Sequence, residues 1–495
     1  MNKFNNAKAL ALGQGITVLA SFLMLPYLSR SLQQGDYGSY GQVLFYVSVF
    51  NSVALIGLNK VIFIYLSKPI KKEVIYTNNL FACLLMGLIL TGICALSSPI
   101  ISMFFDNQAI TIPIIIFAFS IPFETMFTCY SSILVNENKS KVLAFTSVVA
   151  SLIKYISLFF VIQYTDSFLL IFICLLLASI IQLILVAFLS KVKLAFDQIS
   201  TTNWKDQIKM GVPLGLTSII GTIYYVTDGF VVSYLLSEED YAILRNGGFQ
   251  IPFISTLYTI IGIVLMRDIG DYIQKQDKSN IVSLKARAIA LAILLIYPIT
   301  IFLIVFAGHW IPYLFTSLYQ GSIIIFMIYN IMTLFRVTSY ESIIVLSENS
   351  ALLPKIYFKS FLLNLILSIP LTYYLGPSGS AIATIISFLY LVISLTKLNL
   401  KYLEVKLSAL LNYNHLAKIL TLSIFAAMCP YLLNHFASFQ QISPWFLPMV
   451  VFIVLAITYH ILFKTNYVSQ KDKESFFNMI PIDFAKKICI NLYCK

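Results

Sequence analysis

The chain has 495 residues, 59% of them hydrophobic and 11% charged, with a formal net charge of +12. Soluble domains hold roughly 45–50% apolar and about 25% charged residues. A soluble enzyme, a nucleic-acid-binding domain and a secreted disulfide scaffold are therefore excluded. The basic residues lie in short segments between apolar runs, which is the charge pattern of a membrane protein.

A bilayer core takes about 20 apolar residues per helix. That ruler gives fourteen candidate spans, near 9–29, 39–59, 78–102, 110–134, 142–164, 168–189, 210–236, 247–266, 286–307, 322–347, 354–375, 379–396, 416–434 and 444–463. The expected fold is an all-α polytopic membrane protein. The first span follows a short basic head (Lys3, Lys8) and lacks a clear small-residue cleavage site, so a retained helix is expected. With the N-terminus placed inside and the spans alternating, almost every Lys and Arg falls in an inner segment. The exceptions are Arg30 and Arg245 outside and Lys154 and Arg336 within spans. A wrong span count would scramble this asymmetry, so both termini are expected in the cytoplasm. A β-barrel is excluded, because its strands alternate in character and lack long apolar runs. The seven cysteines form no C-x-x-C pair, and neither a disulfide framework, a metal site nor a cofactor is expected.

Leu32-Gln33-Gln34-Gly35-Asp36-Tyr37 after span one resembles Leu236-Ser237-Glu238-Glu239-Asp240-Tyr241 after span seven, at an offset of 204 residues and six spans. Six is even, so the copies share one orientation, as in transporters built from two parallel halves. The expected plan is two parallel six-helix bundles, 1–190 and 210–400, an extra helix pair at 415–464, and a basic cytoplasmic tail at 465–495. That tail mixes Phe476, Phe477, Ile480 and Phe484 with Lys486 and Lys487, which suits a helix lying on the anionic inner leaflet. Pro26, Pro122, Pro213, Pro252, Pro298 and Pro370 lie inside apolar runs and bend helices. Such bends suit bundles that rock between two open states.

Ionisable residues in mid-span are Glu124, Lys154, Asp228, Arg336 and Glu341. Each costs roughly 2.5–3.5 kcal/mol at a bilayer centre and calls for a partner or a wet cavity. Two readings stay open: buried ion pairs that hold helices in register, or a charged passage. As a continuous helix, Arg336 and Glu341 would point about 140° apart, which makes them poor partners. Glu124 with Lys154, or Glu341 with a cation on another span, are alternative pairings. If Lys154 and Arg336 face a cavity, they attract an anion such as a diphosphate, and Glu124, Asp228 and Glu341 become candidates for ion coupling. Asp228 also stands near enough to the outer end of its span for hydration. Arg30 closes span one, where snorkelling accounts for it equally well. Gln14, Ser21 and Ser29 on the same span fit a cavity-lining face.

Gly13-Gln14-Gly15, Leu25-Pro26-Tyr27-Leu28-Ser29-Arg30-Ser31-Leu32 and Asp36-Tyr37-Gly38-Ser39-Tyr40 together resemble the opening of polysaccharide transporters. These are the O-antigen and repeat-unit flippases of the multidrug/oligosaccharidyl-lipid/polysaccharide exporter superfamily. Gly211-Val212-Pro213 and the later Asp228 are similar to the start of their second half. The resemblance implies a flippase that moves undecaprenyl-diphosphate-linked oligosaccharide from the cytoplasmic to the periplasmic leaflet of a bacterial inner membrane. It implies alternating access, ion coupling and a place in O-antigen and lipopolysaccharide biosynthesis. Membrane lipid, polysaccharide polymerase and chain-length proteins are the implied partners, and nucleic acid is not. Arg30 matches the family's first-span arginine; Lys154 and Arg336 rest on burial. Peptidoglycan-precursor flippases of the superfamily use arginines in their second and eighth spans, and candidate spans 2 and 8 contain none. Drug antiporters of the superfamily use a carboxylate in span one, which is absent here.

An enzyme on the same lipid carrier, a polymerase or ligase, is expected to need a large catalytic loop. The longest outer loop expected here, 237–247, is too short for one, and 191–209 is too short for a cytosolic site. An ion-coupled small-solute or drug antiporter is the remaining transporter reading.

Overall fold

The computed structural model describes residues 2–66, 70–165, 167–249, 275–338, 340–347 and 352–436, with isolated positions in 269–273 and 453–460. All regular secondary structure among the described residues is helical. The chain divides into two compact units, one of residues 1–245 with 357–384 and one of 246–356 with 385–495.

The first unit opens with α1 (Asn2–Ser31), α2 (Gln34–Leu55) and α3 (Leu58–Tyr65). Ile56 and Gly57 both take positive φ (34° and 78°) and separate α2 from α3. This break packs against α9 (Thr201–Leu235), where a Cβ on Gly211 or Gly215 would stand 2.6 or 2.5 Å from the Ile56 carbonyl group. The G-x-x-x-G spacing lets the two backbones touch. Where α9 bends by 47° about residue 217, Lys60 Nζ donates to the Leu214 carbonyl (3.3 Å) and the Ser218 hydroxyl (2.9 Å). At the head of α1, Gly13 makes room for Ala144 of α7 (Ser140–Tyr164), 2.7 Å from where a Cβ would stand.

α4 (Lys72–Phe104) is a single long helix, but the expected span at 110–134 is two helices, α5 (Thr111–Ala118) and α6 (Ile121–Asn136), bent by 46°. The cause is Pro122. It has no N–H to give the Ala118 carbonyl, and in hydrocarbon an orphan carbonyl costs several kcal/mol. Thr91 of α4 donates its hydroxyl to that carbonyl instead, at 3.0 Å. Gly87, one turn earlier, lacks the Cβ that would stand 2.5 Å from Pro122 Cα. Along the same α4–α6 seam the free thiols of Cys83 and Cys129 lie 2.9 Å apart, both buried. α8 (Phe168–Ser190) packs on α6 and α7. The connection 191–200 is strapped to α4, with the Ser200 N–H donating to Asn78 Oδ1 (2.9 Å) and the Ala195 N–H to Thr77 Oγ1 (2.8 Å).

The segment 237–247, expected as a loop, is instead a helix, α10 (Glu238–Gly247), with Glu238, Glu239 and Asp240 in its first turn. Carboxylates there complement the helix dipole. The second unit follows with α11 (Lys278–Val305), α12 (Ala307–Phe315), α13 (Ser322–Leu334) and α14 (Ser342–Leu346). Asp277 caps α11 by accepting from the Asn280 N–H (3.1 Å), which holds its carboxyl below the usual carboxylate range. The expected span at 322–347 is broken: residues 335–338 and 340–341 are turn and irregular backbone. α15 (Leu353–Leu375) and α16 (Pro377–Leu403) form a hairpin about Gly376 (φ 63°). A buried polar row, Ser360, Asn364, Ser368 and Thr372, runs down α15 at i+4 spacing, and Asn364 Nδ2 donates to Thr384 Oγ1 of α16 (3.3 Å). α17 (Leu407–Leu410) and α18 (Tyr413–Phe436) complete the described helices.

Among the described residues, seven helices are long and apolar enough to cross a bilayer, and two bent pairs bring the number to nine. Every candidate span that falls in the described residues is helical over most of its length; 247–266 and 444–463 lie almost wholly outside them. Large apolar side chains such as Leu96 (81% exposed) and Phe188 (80%) face outward. That outward apolar surface is the mark of a multi-pass membrane protein. The α4–α6 seam gives a direct test. Gly87→Ala is expected to lower the melting temperature of the detergent-purified protein, at a cost of about 1–3 kcal/mol for overpacking. Gly92→Ala, on the same helix with nothing within 4 Å of its Cβ position, is expected to leave it unchanged or raised. Equal behaviour of the two variants would contradict the seam.

Candidate functional site

Four helices of the first unit converge on one carboxylate. Glu124 stands in the first turn of α6, just past the Pro122 bend that turns this helix against its neighbours. Asn51 of α2 donates Nδ2 to its Oε2 at 2.5 Å, and Ser179 of α8 donates Oγ to its Oε1 at 3.2 Å. Lys154 of α7 supplies the positive charge that acts on the carboxylate. Its ammonium lies 5.6 Å from the ring centre of Tyr155. Glu124, Lys154 and Asn51 are half-buried and Ser179 is buried. The sequence left the Glu124–Lys154 pairing open; Lys154 is within electrostatic reach of Glu124, but no ion pair or hydrogen bond joins them. Both carboxylate oxygens have hydrogen-bond donors, which an ion in a low-dielectric interior requires.

A second cation joins this cluster through tyrosines. Arg245 of α10 lies with its guanidinium carbon 4.8 Å from the Tyr37 ring centre and 4.7 Å from that of Tyr40, both on α2. The helices approach this closely because α2 carries glycines at the contact. A Cβ on Gly38 would stand 1.9 Å from the Glu238 carbonyl oxygen, and one on Gly41 would stand 2.6 Å from Arg245 Nη1. Arg245 is half-buried, but its Nη1 is fully enclosed with no hydrogen-bond acceptor among the described residues. Tyr40 is in turn within electrostatic reach of Tyr155. Arginine over aromatic faces is a favourable contact worth about 2 kcal/mol or more when desolvated.

The other expected site residues are spread more widely. Gln14 and Arg30 are both exposed on α1. Asp228 of α9 is half-buried, accepts from the Gly229 N–H at 2.9 Å and lies near Tyr241. Arg336 and Glu341 belong to the second unit and flank its broken helix. The Arg336 guanidinium lies 5.3 Å from the Phe388 ring centre. The 140° argument against their pairing fails, since no continuous helix joins them.

The sequence reading missed Asn51, Ser179, Tyr155 and Arg245. Neutral Asn51 and Ser179 carried no signal beyond ordinary helix polarity. Arg245 did have one: α2 starts at Gln34 and α10 at Glu238, the repeat offset again. Applying the repeat would have made 237–247 a helix start. The eighth candidate span, 247–266, holds no arginine; Arg245 stands on α10 two residues before it.

Residues 4–266 match the family of polysaccharide biosynthesis proteins. No curated protein matches the chain. Among solved structures, the lipid II flippase MurJ in an inward closed conformation superposes with a TM-score of 0.70 at 18% identity, covering 93% of this chain and 99% of that one. An inward-facing multidrug resistance MATE family transporter of the MOP superfamily gives 0.62 at 13% identity, covering 80% and 94%. A MOP superfamily transporter from Pyrococcus furiosus, titled for a binding pocket of reversed polarity, gives 0.59 at 13% identity, covering 81% and 96%. The fold is thus that of MurJ and MATE transporters, and the chain belongs to the polysaccharide biosynthesis protein family.

Proposed function

We propose that the chain is a flippase, not an enzyme, that moves an undecaprenyl-diphosphate-linked oligosaccharide of O-antigen type from the cytoplasmic to the periplasmic leaflet. The observation that carries this reading is the cluster of Lys154, Glu124 and Arg245 with tyrosines, set among helices of a polysaccharide-biosynthesis chain with a flippase fold. Cations suit the diphosphate, and aromatic rings suit sugar faces and neighbouring cations. The proposal includes fourteen spans with cytoplasmic termini in a bacterial inner membrane. It also includes bundles 1–190 and 210–400 working by alternating access, with the pair 415–464 and the tail 465–495 outside them. Lys154, Arg336, Arg30 and Gln14 line the substrate path, and Glu124, Asp228 and Glu341 are the ion-coupling candidates. Polymerase and chain-length proteins follow it in the pathway.

A second substrate has one specific point in its favour. Arg245 on α10, two residues before the eighth candidate span, stands close to where one of the two arginines of the peptidoglycan-precursor reading is expected, and MurJ superposes on nearly the whole chain. Both substrates carry the same diphosphate. An antiporter of drugs is disfavoured by the absence of a carboxylate between residues 9 and 29.

Expression in a strain lacking its O-antigen flippase is expected to restore surface polysaccharide and to end the accumulation of lipid-linked units inside. Restoration instead in a strain depleted of its peptidoglycan-precursor flippase selects the second substrate. Restored chain length, with single units already at the surface, would mark a polymerase. In the complementing strain, Lys154→Ala and Arg336→Ala are each expected to reduce surface polysaccharide about tenfold or more, the weight of a charge-assisted contact. Protein in the membrane should stay constant. Wild-type display in either variant removes that residue from the path. Arg245→Ala is expected to fail similarly and Arg245→Lys to restore only part, because an ammonium lacks the planar face that stacks between two rings.

A further inference from the structure

We propose that Lys60 is a phosphate-binding residue at the inner end of the substrate path, where it meets the diphosphate of an incoming lipid-linked substrate. The inference rests on the flippase reading above and adds a cation to its path. Candidate span 39–59 stops one residue short of Lys60, so hydropathy leaves it in an inner loop. The fold carries its ammonium deeper. Lys60 Nζ donates to the Leu214 carbonyl (3.3 Å) and the Ser218 hydroxyl (2.9 Å) of α9. These acceptors stand four and eight residues inside the candidate span 210–236. At about 1.5 Å per residue they lie about 6 and 12 Å from its inner edge.

Lys60 and Ser218 are both exposed. At that depth an exposed ammonium faces lipid or water, and lipid costs roughly 2.5–3.5 kcal/mol. A lysine on lipid sends its ammonium out to the interface; this one is held inside the span. The backbone points the same way. α2 gives way to α3 at Ile56 and Gly57, and α9 bends by 47° about residue 217. Broken helices at membrane depth are tolerated inside protein or beside a wet cavity, and in many transporters they build the substrate site. Polar groups continue inward along α9 in steps of four, from Leu214 and Ser218 to Thr222, whose hydroxyl meets that of Ser52 on α2 at 3.0 Å.

The partners of Lys60 are neutral, and among the described residues no carboxylate stands within ion-pair distance of it. A carbonyl and a hydroxyl position the ammonium without cancelling its charge. They use two of its three donors. Phosphate oxygens make charge-assisted bonds roughly twice as strong as neutral ones, so a diphosphate outcompetes both acceptors.

The test uses the full chain in detergent with farnesyl diphosphate as the probe and phosphatidylglycerol as the competitor. Lys60→Gln is expected to weaken farnesyl diphosphate binding about tenfold, the weight of one hydrogen bond to a charged group. Lys60→Arg should keep most of it. The melting temperature without ligand should stay at the wild-type value in both, while the rise on adding farnesyl diphosphate shrinks in Lys60→Gln alone. Lys60→Met serves as a second neutral variant should the glutamine variant fold poorly. Equal affinity in wild type and the neutral variants overturns the assignment and leaves the flippase reading intact. Displacement of the probe by phosphatidylglycerol at equal concentration gives Lys60 to bulk phospholipid and overturns its place on the substrate path. Wild type that binds no farnesyl diphosphate overturns the phosphate site; if it also restores neither flippase-deficient strain, the flippase reading falls with it.

Discussion

A lone charge in hydrocarbon is the constraint around which the first unit is organised. Glu124 cannot stay ionised there without donors for both oxygens and a cation nearby. The chain supplies them from three other helices, Asn51 on α2, Ser179 on α8 and Lys154 on α7. Apolar packing between membrane helices is weakly specific, because lipid competes with it on equal terms. The polar quartet has no such competitor. The hydrogen bonds from Asn51 and Ser179 tie α2 and α8 to α6 in one register.

That quartet depends on backbone geometry that only small residues and a proline permit. Pro122 breaks the fourth candidate span where Gly87 and Thr91 receive the break, one by space and the other by a hydrogen bond. Glu124 stands two residues later, so the bend sets the direction from which its carboxylate enters the cluster. The same logic works at both ends of α2. Gly38 and Gly41 admit α10 at its start, and Gly57 meets Gly211 and Gly215 of α9 at its end. α2 is thereby held along its length by backbone contact with elements of the second half of the chain.

Much of this was legible in the sequence. Apolar length located the helices, and the scarcity of charge inside them singled out Lys154 and Glu124 as residues needing an explanation. Hydropathy does not carry the relative rotation of two helices, which is why the pairing stayed open until α6 and α7 were seen side by side. It also averages across breaks. The window over 322–347 is apolar whether or not the backbone is helical, so the interruption at residues 335–338 and 340–341 was invisible, and with it the true setting of Arg336. Residues 237–247 failed for the opposite reason. Their charge concealed a helix whose first turn is acidic because the dipole favours it.

Arg245 shows why a buried cation in such a chain need not signal a carboxylate partner. A guanidinium between Tyr37 and Tyr40 is stabilised by ring quadrupoles that lose little when the contact opens, because the rings pay a small desolvation cost. A carboxylate in their place would gain more on closing and strand two charges on opening. The enclosed Nη1 donor adds to that argument. A contact that leaves a strong donor unsatisfied is held below its maximum stability. The carboxylate of Glu124 and the guanidinium of Arg245 are thus settled by different means, one by neutral hydrogen-bond donors and the other by ring faces.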